Sequence, residues 1–398
     1  MTLTATRPTS PPASAANAIR VCVVDDAVVV RGMVTRWVNE EDGIELVGSY
    51  RNGQVAVEKA PQDKPHVIVL DIEMPEMDGL TALPLLLKAC PGVKIVMAST
   101  LTRRNAEISL KALSLGAADY VPKPETNSGV STSSDFRREL IEKIRALGAA
   151  AAGRPQARVP FSTPPSAKPG AAAARPATAA PSPGLAPAGG AGEPIKHRSF
   201  SRIRPTALVI GSSTGGPPAL AKLLGTLSSD IWKRMPVLIT QHMPATFTAI
   251  LAEHLTRAAR IPAAEAENGE PIVPGRIYVA PGGKHMIVAG TRAAPKIRLT
   301  DDAPVHFCKP AVDPLFQSAA TVWNSAVLGV VLTGMGCDGA NGSVSIADAG
   351  GTILAQDKES SVVWGMPGAV AQSGASAALM TVEEIGRKIN SLAMGALA

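Results

Sequence analysis

Residues 211–216 read G-S-S-T-G-G, with the apolar A-L-V-I before them and P-P-A-L-A-K-L-L after. The first five fit G-x-S-x-G, a turn that presents a serine hydroxyl as a nucleophile at a strand end. The same glycines suit a loop that cradles a phosphate at a helix start. The cradle is the weaker reading. The turn itself has no lysine and is not G-x-G-x-x-G, and Gln241-His242 stand where a ribose-binding acid is needed. A serine nucleophile needs a base, and the base needs an orienting acid. No histidine adjoins Ser213, so its partners must arrive through the fold. His242 (I-T-Q-H-M-P) and His285 (V-A-P-G-G-K-H-M) follow apolar runs, His254 lies in a helical pattern, and His306 lies in the loop D-D-A-P-V-H-F-C. His242 is preferred, because it leaves its strand at the same sheet edge as Ser213. For the acid, V-V-L-T-G-M-G-C-D-G-A (330–340) ends a strand-like run in a glycine turn carrying Asp338. Asp338 can hold an imidazole, and it fits a helix N-cap equally well locally. Glycines let backbone N–H groups approach an oxyanion, which makes Thr214 and Met335 candidate donors.

A second set lies nearer the N-terminus. V-C-V-V runs into Asp25-Asp26, V-I-V-L into Asp71 and I-V-M-A into Ser99-Thr100, while Lys123 follows D-Y-V-P. At the carboxyl ends of parallel strands these side chains converge on one crevice. Several carboxylates cluster only if something neutralises them. A hard divalent cation does so and keeps waters for a phosphoryl group. One carboxylate can then accept a phosphoryl, with a lysine and a hydroxyl binding its oxygens. Any one of these aspartates alone is an ordinary loop starter; the ordered set points to chemistry.

Positioning these groups requires two sheets. From Ile19 to about Leu147, short apolar runs alternate with helical patterns, as a parallel sheet covered on both faces requires. D-F-R-R-E-L-I-E-K-I-R-A-L-G (135–148) predicts a closing helix that starts at Asp135. Residues 149–204 are rich in Ala, Pro and Gly without period, and the alternation resumes at Pro205. The expected organisation is a disordered tail (1–18), an α/β domain (19–148), a disordered, flexible basic linker (149–204) and a second α/β domain (205–398), each domain a doubly wound parallel sheet.

The formal charge of +6 over 398 residues invites a nucleic-acid reading. Between Gly148 and Pro205, however, eight basic residues face one acid, Glu193, so that stretch alone holds a surplus of seven and the rest is near −1. A basic tether of this kind does not make a nucleic-acid site, and no nucleic-acid partner is expected. The four cysteines lack C-x-x-C spacing, which suits reduced thiols. No apolar run is long enough to span a membrane, and M-T-L-T-A-T-R-P-T-S-P-P lacks a signal-peptide core. A cytoplasmic protein with no direct membrane insertion is expected.

D-D (25–26), L-D-I-E-M-P-E-M-D-G (70–79), S-T (99–100) and K-P (123–124) resemble the receiver domain of bacterial response regulators. The resemblance implies a flavodoxin-like fold, phosphorylation of Asp71, and Mg²⁺ held by Asp26, Asp71 and the Glu73 backbone carbonyl with Asp25 in support. It makes Ser99 and Lys123 sensors of the phosphoryl group and Tyr120 the switch aromatic. Ala27 departs from the serine common at its position. I-G-S-S-T-G-G-P (210–217), I-T-Q-H-M-P (239–244), Y-V-A-P-G-G-K-H-M (278–286), P-A-V-D-P-L-F (310–316), V-L-T-G-M-G-C-D-G-A (331–340) and G-M-P-G-A-V (365–370) resemble the chemotaxis protein-glutamate methylesterases. This likeness implies a Rossmann-like second domain with catalytic Ser213, His242 and Asp338. It further implies demethylation of glutamate methyl esters on methyl-accepting chemotaxis receptors, deamidation of receptor glutamines, a chemotaxis histidine kinase as phosphodonor, and no cofactor in the catalytic domain. Ser212 and Cys337 depart from the family's common Ala and Asn. The chain order Ser, His, Asp differs from the Ser, acid, His of typical α/β-hydrolases.

Overall fold

The computed structural model describes residues 18–123, 130–153 and 195–395. The expected N-terminal tail and most of the expected linker lie outside these residues.

In the first unit, β1 (Ile19–Val24), β2 (Ile44–Tyr50), β3 (Val67–Asp71), β4 (Lys94–Ser99) and β5 (Asp119–Pro122) form a parallel sheet in the order β2-β1-β3-β4-β5. Helices α1 (Val28–Asn39), α2 (Gly53–Asp63), α3 (Gly79–Ala89), α4 (Arg103–Ser114) and α5 (Val130–Ala151) lie between and after the strands. The β-branched runs are buried on both faces, as in V-I-V-L-D of β3. Turn residues start the helices: Asn52 accepts from the Val55 N–H at 2.9 Å, and Asp78 from the Thr81 N–H at 2.7 Å. The closing helix α5 begins five residues before Asp135 and runs three beyond Gly148.

The second unit is a seven-stranded sheet with parallel pairings throughout. It comprises β6 (Ala207–Ser212), β7 (Val237–Gln241), β8 (Ala263–Glu265), β9 (Ile277–Val279), β12 (Val327–Val331), β13 (Thr352–Gln356) and β14 (Ala378–Met380). Their order is β14-β13-β12-β6-β7-β9-β8. Between β9 and β12, β10 (His285–Thr291) and β11 (Ala294–Thr300) form a separate antiparallel hairpin. The helices are α6 (Gly216–Gly225), α7 (Ser229–Trp232), α8 (Ala245–Ala259), α9 (Val312–Trp323), α10 (Ala340–Asp348), α11 (Met366–Gln372) and α12 (Val382–Ala393). Alternate β6 residues face opposite layers. Leu208 and Ile210 join Leu220, Phe247 and Ile385 in one core, while Ala207 and Val209 join Leu315 and Phe316 in the other. The chain leaves β6 toward β7 on one side and later builds β12 on the other. The strand order therefore reverses beside β6, where open α/β sheets place their ligand crevice.

One expectation needs amendment. The basic stretch 149–204 is not free linker at its ends. Its start belongs to α5, and residues 195–204 dock on the second unit. There the Arg198 N–H donates to the Ser376 carbonyl, Lys388 lies over the Phe200 ring at 4.2 Å, and Arg204 Nε donates to the Ala393 carbonyl. Composition flags the Ala-Pro-Gly run but not the aromatic and arginine anchors at its edge. The two units also share a core: Tyr120 of β5 stacks on Phe247 of α8, ring centroids 4.3 Å apart and planes within 5°.

Candidate functional site

The register of the central strands assembles the second-domain residues. Ser212 pairs with Gln241 across β6 and β7, so Ser213 and His242 leave adjacent strands side by side. Val331 of β12 pairs with Gly211 on the other flank, and the turn after β12 reaches back toward Ser213. A Cβ on Gly334 would lie 2.8 Å from the Ser213 Cβ, so only glycine lets the two turns touch. Asp338 lies in that turn.

The two serines separate clearly. Ser212 is fully buried, and its hydroxyl donates to Gln241 Oε1 at 2.7 Å. Ser213 is half-buried at the start of the turn into α6, its carbonyl held by the Gln241 side-chain amide at 3.0 Å. The tight turn requires Gly215 at φ +73°. It also requires Gly216 without a side chain, since a Cβ there would lie 2.1 Å from Gln241 Oε1. Ser213 thus sits at the N-terminal, partly positive end of α6.

His242 Nε2–H donates to Asp338 Oδ2 at 2.7 Å. The same carboxylate accepts the N–H groups of Val312 (2.6 Å), Asp313 (3.0 Å) and Gly339 (2.9 Å). Asp338 therefore does not cap α10, whose N-cap is Gly339. It binds the first amides of α9 instead. Burial pushes the Asp338 carboxyl up, but His242 and these amides outweigh it and hold the group below its ordinary range. Asp313 answers reciprocally by accepting from Gly342 at the start of α10 at 2.7 Å. Burial and the neighbouring Asp338 push Asp313 up to about 6. Burial pulls His242 down, yet the adjoining Cys308 sulfur and Asp338 more than offset it and push it up to about 10.

Of the other histidines, His285 is structural: its ring nitrogens meet the Ala311 N–H at 3.1 Å and the Ala303 carbonyl at 3.1 Å. His254 lies on α8, half-buried. His306 is exposed, 3.5 Å from Asp313. The Thr214 and Met335 amides lie in the turns that flank Ser213. No hydrogen-bond acceptor engages either N–H among the described residues.

The first unit reaches this site. Asp119 at the start of β5 accepts from the Thr214 hydroxyl at 2.6 Å, next to Ser213. Met335 and Val362 pack against the core that holds Val121 and Phe136. Arg138 of α5 lies 5.2 Å from the Phe307 ring centroid, in the loop beside His242. Tyr120 is buried within this contact. No spacing rule relates Asp119 to Thr214, so sequence reasoning missed this bond.

At the other end of β5 the acidic cluster forms as expected. Carboxylate oxygens of Asp25, Asp26 and Asp71 lie within 4.8 Å of one another. Lys123 Nζ bridges Asp25 and Asp71, at 2.7 Å from each. Burial pushes the Asp71 carboxyl up to about 6, although Lys123 pulls it down. Ser99 ends β4, where its buried hydroxyl accepts from Ser109 at 3.0 Å and its carbonyl accepts from the Lys123 N–H at 2.7 Å. Asp26, Glu73 and Arg104 line a cavity of about 340 Å³ beside the cluster.

Known proteins show the same division. Residues 208–389 match the CheB methylesterase family, and residues 21–132 match the response regulator receiver domain. A protein-glutamate methylesterase/protein-glutamine glutaminase of group 2 operon from Bradyrhizobium diazoefficiens is 53% identical, over 96% of this chain and 95% of its own. Protein-glutamate methylesterase/protein-glutamine glutaminase 1 of Rhodospirillum rubrum is 50% identical, over 97% of each chain. The crystal structure of the Thermotoga maritima CheB methylesterase catalytic domain aligns at 35% identity and a TM-score of 0.46, covering 48% of this chain and all of that one. The chain therefore belongs to the protein-glutamate methylesterase/protein-glutamine glutaminase family, with a CheB methylesterase domain behind a response regulator receiver domain.

Proposed function

We propose that the chain is a phosphorylation-activated serine hydrolase that cleaves glutamate methyl esters on chemotaxis receptors, releasing methanol, and deamidates selected receptor glutamines. The observation that carries this reading is that Ser213 and His242 leave adjacent strands side by side, with the imidazole bound at 2.7 Å to Asp338 in the turn after the neighbouring strand. With Nε2 committed to Asp338, His242 takes the Ser213 proton at Nδ1. The Ser213 oxygen attacks the ester carbonyl, and the amides of Thr214 and Met335 receive the oxyanion. Methanol leaves with the proton from His242, or ammonia leaves when the substrate is an amide. Water, deprotonated by His242, then frees the carboxylate and restores Ser213.

Control of the site runs through the receiver. Asp71 accepts a phosphoryl group from a histidine kinase, and the all-oxygen set of Asp25, Asp26 and Asp71 suits Mg²⁺. Asp26, Asp71 and the Glu73 carbonyl would hold the ion, with Asp25 behind them. When bound, the ion neutralises charge around the incoming phosphoryl. Lys123 and Ser99 then turn toward the phosphoryl oxygens. The stack of Tyr120 on Phe247 and the bond of Asp119 to Thr214, the residue after Ser213, support control of the catalytic domain by the receiver. Phosphorylation opens the site to the extent that the phosphoryl group favours the open arrangement. A cytoplasmic location fits this reading, and no helix among the described residues is long and apolar enough to cross a membrane.

Two results test the control. Asp71→Asn removes the acceptor oxygen, so a small-molecule phosphodonor should neither label the protein nor raise its turnover. Retained stimulation of the variant contradicts the assignment. Phe247→Leu weakens the aromatic stack by about 1 kcal/mol and should raise unstimulated turnover by about two- to tenfold. A fall in unstimulated turnover with the fold intact counts against inhibition by the receiver.

A further inference from the structure

Cys308 plays no part in the proposed hydrolysis, yet its Sγ lies 3.4 Å from His242 Nδ1. Since Nε2 is bound to Asp338, Nδ1 is the one ring nitrogen left for Ser213. Thiol and hydroxyl thus compete for a single atom. Cys308, His242 and Asp338 stand in line as a thiol, a base and an orienting carboxylate, the arrangement that activates a sulfur nucleophile. The loop fixes this geometry. Val305 and Cys308 exchange backbone hydrogen bonds at 3.1 and 2.9 Å. Between them, His306 and Phe307 are held at φ +50° and +62°, a region that side chains other than glycine enter at a cost of about 1 kcal/mol each.

Of the other thiols, Cys337 meets an imidazole more loosely: its Sγ lies 3.7 Å from Nδ1 of the exposed His306, whose Nε2 is 3.5 Å from Asp313. Cys22 and Cys90 are buried, and burial pushes Cys22 up to about 12 and raises Cys90. Cys337 is raised by burial and by Asp313 and Asp338. Cys308 is half-exposed and alone among the four touches the His242 ring.

We propose that Cys308 is an oxidation site through which a peroxide switches the hydrolase off. This rests on His242 being the base of the proposed reaction. The Cys308 thiol gives its proton to His242 Nδ1, and the thiolate attacks one peroxide oxygen. An S–O bond forms, the O–O bond breaks, and the departing hydroxide takes the proton from His242 and leaves as water. Sulfur is oxidised by two electrons and the peroxide is reduced. The resulting sulfenic acid fills the space at Nδ1 that the Ser213 hydroxyl must enter. A dithiol returns the sulfenic acid to thiol and water and is itself oxidised to its disulfide.

The test treats the full chain with hydrogen peroxide, with and without a phosphodonor. It traps sulfenic acid with dimedone, locates the adduct by peptide mass spectrometry, and follows methanol release in parallel. Wild type should carry the adduct on Cys308 and lose more than about tenfold in turnover, recovered by dithiothreitol. Cys308→Ala should stay within about twofold of its own untreated rate, while Cys337→Ala should behave as wild type. His242→Ala should slow labelling of Cys308 by more than about tenfold, which a merely exposed thiol would not show. Labelling at Cys337 instead, no labelling of Cys308, or equal inactivation of Cys308→Ala overturns the proposal. An untreated protein that releases no methanol overturns the hydrolase reading and the switch with it. Adduct formation at Cys308 is read independently and shows which part failed.

Discussion

Ser213→Ala is expected to lower methanol release by about 10⁴- to 10⁶-fold, a loss of about 5–8 kcal/mol of transition-state stabilisation. The effect is large because no second group replaces the hydroxyl. The neighbouring Ser212 is fully buried and donates its hydrogen bond to Gln241 Oε1. Ser212→Ala therefore forms the matched control. It leaves Gln241 Oε1 without its donor and should cost about 1 kcal/mol in stability, with turnover within about threefold of wild type. Thermal denaturation separates the two variants. Ser213→Ala should melt as wild type does, since the Ser213 hydroxyl has no hydrogen-bond partner among the described residues. The opposite pattern, with Ser212→Ala inactive and Ser213→Ala active, would shift the nucleophile by one residue.

Asp338→Asn should lower turnover by about 10³- to 10⁴-fold and destabilise the second unit by about 2–4 kcal/mol. Both effects arise from one count. The carboxylate receives four N–H donors, from His242, Val312, Asp313 and Gly339. An asparagine offers one oxygen, and its amide N–H groups must face donors. If the amide replaces Oδ2, His242 and Val312 lose their acceptor and the imidazole can adopt the wrong tautomer; if it replaces Oδ1, Asp313 and Gly339 lose theirs. Turnover near wild type would remove Asp338 from the mechanism and leave it the role of joining α9 to α10.

The two parallel sheets were legible because their strands are continuous apolar runs, and functional residues collect where those runs end. That rule singled out Asp25, Asp71, Ser99 and His242 as candidates, and the G-x-S-x-G turn added Ser213. It also favoured His242 over His285, whose ring bonds to the Ala303 carbonyl and the Ala311 amide. The local reading of Asp338 was ambiguous, since both of its roles begin with an aspartate before glycine. Only its contact with His242 and the amides of α9 separates them. The hairpin of β10 and β11 and the short β8 and β14 escaped notice. In the hairpin, β11 has a single buried residue, and β8 and β14 have three residues each. The contacts of Asp119 with Thr214 and of Cys308 with His242 join residues 95 and 66 positions apart, which no periodicity encodes.

The most direct measurement is methanol release from methylated receptor membranes by the purified full chain, with and without a phosphodonor. The proposed function predicts steady release that rises when the phosphodonor is added and disappears in Ser213→Ala. No release in either condition, or release that Ser213→Ala sustains at the wild-type rate, would contradict it.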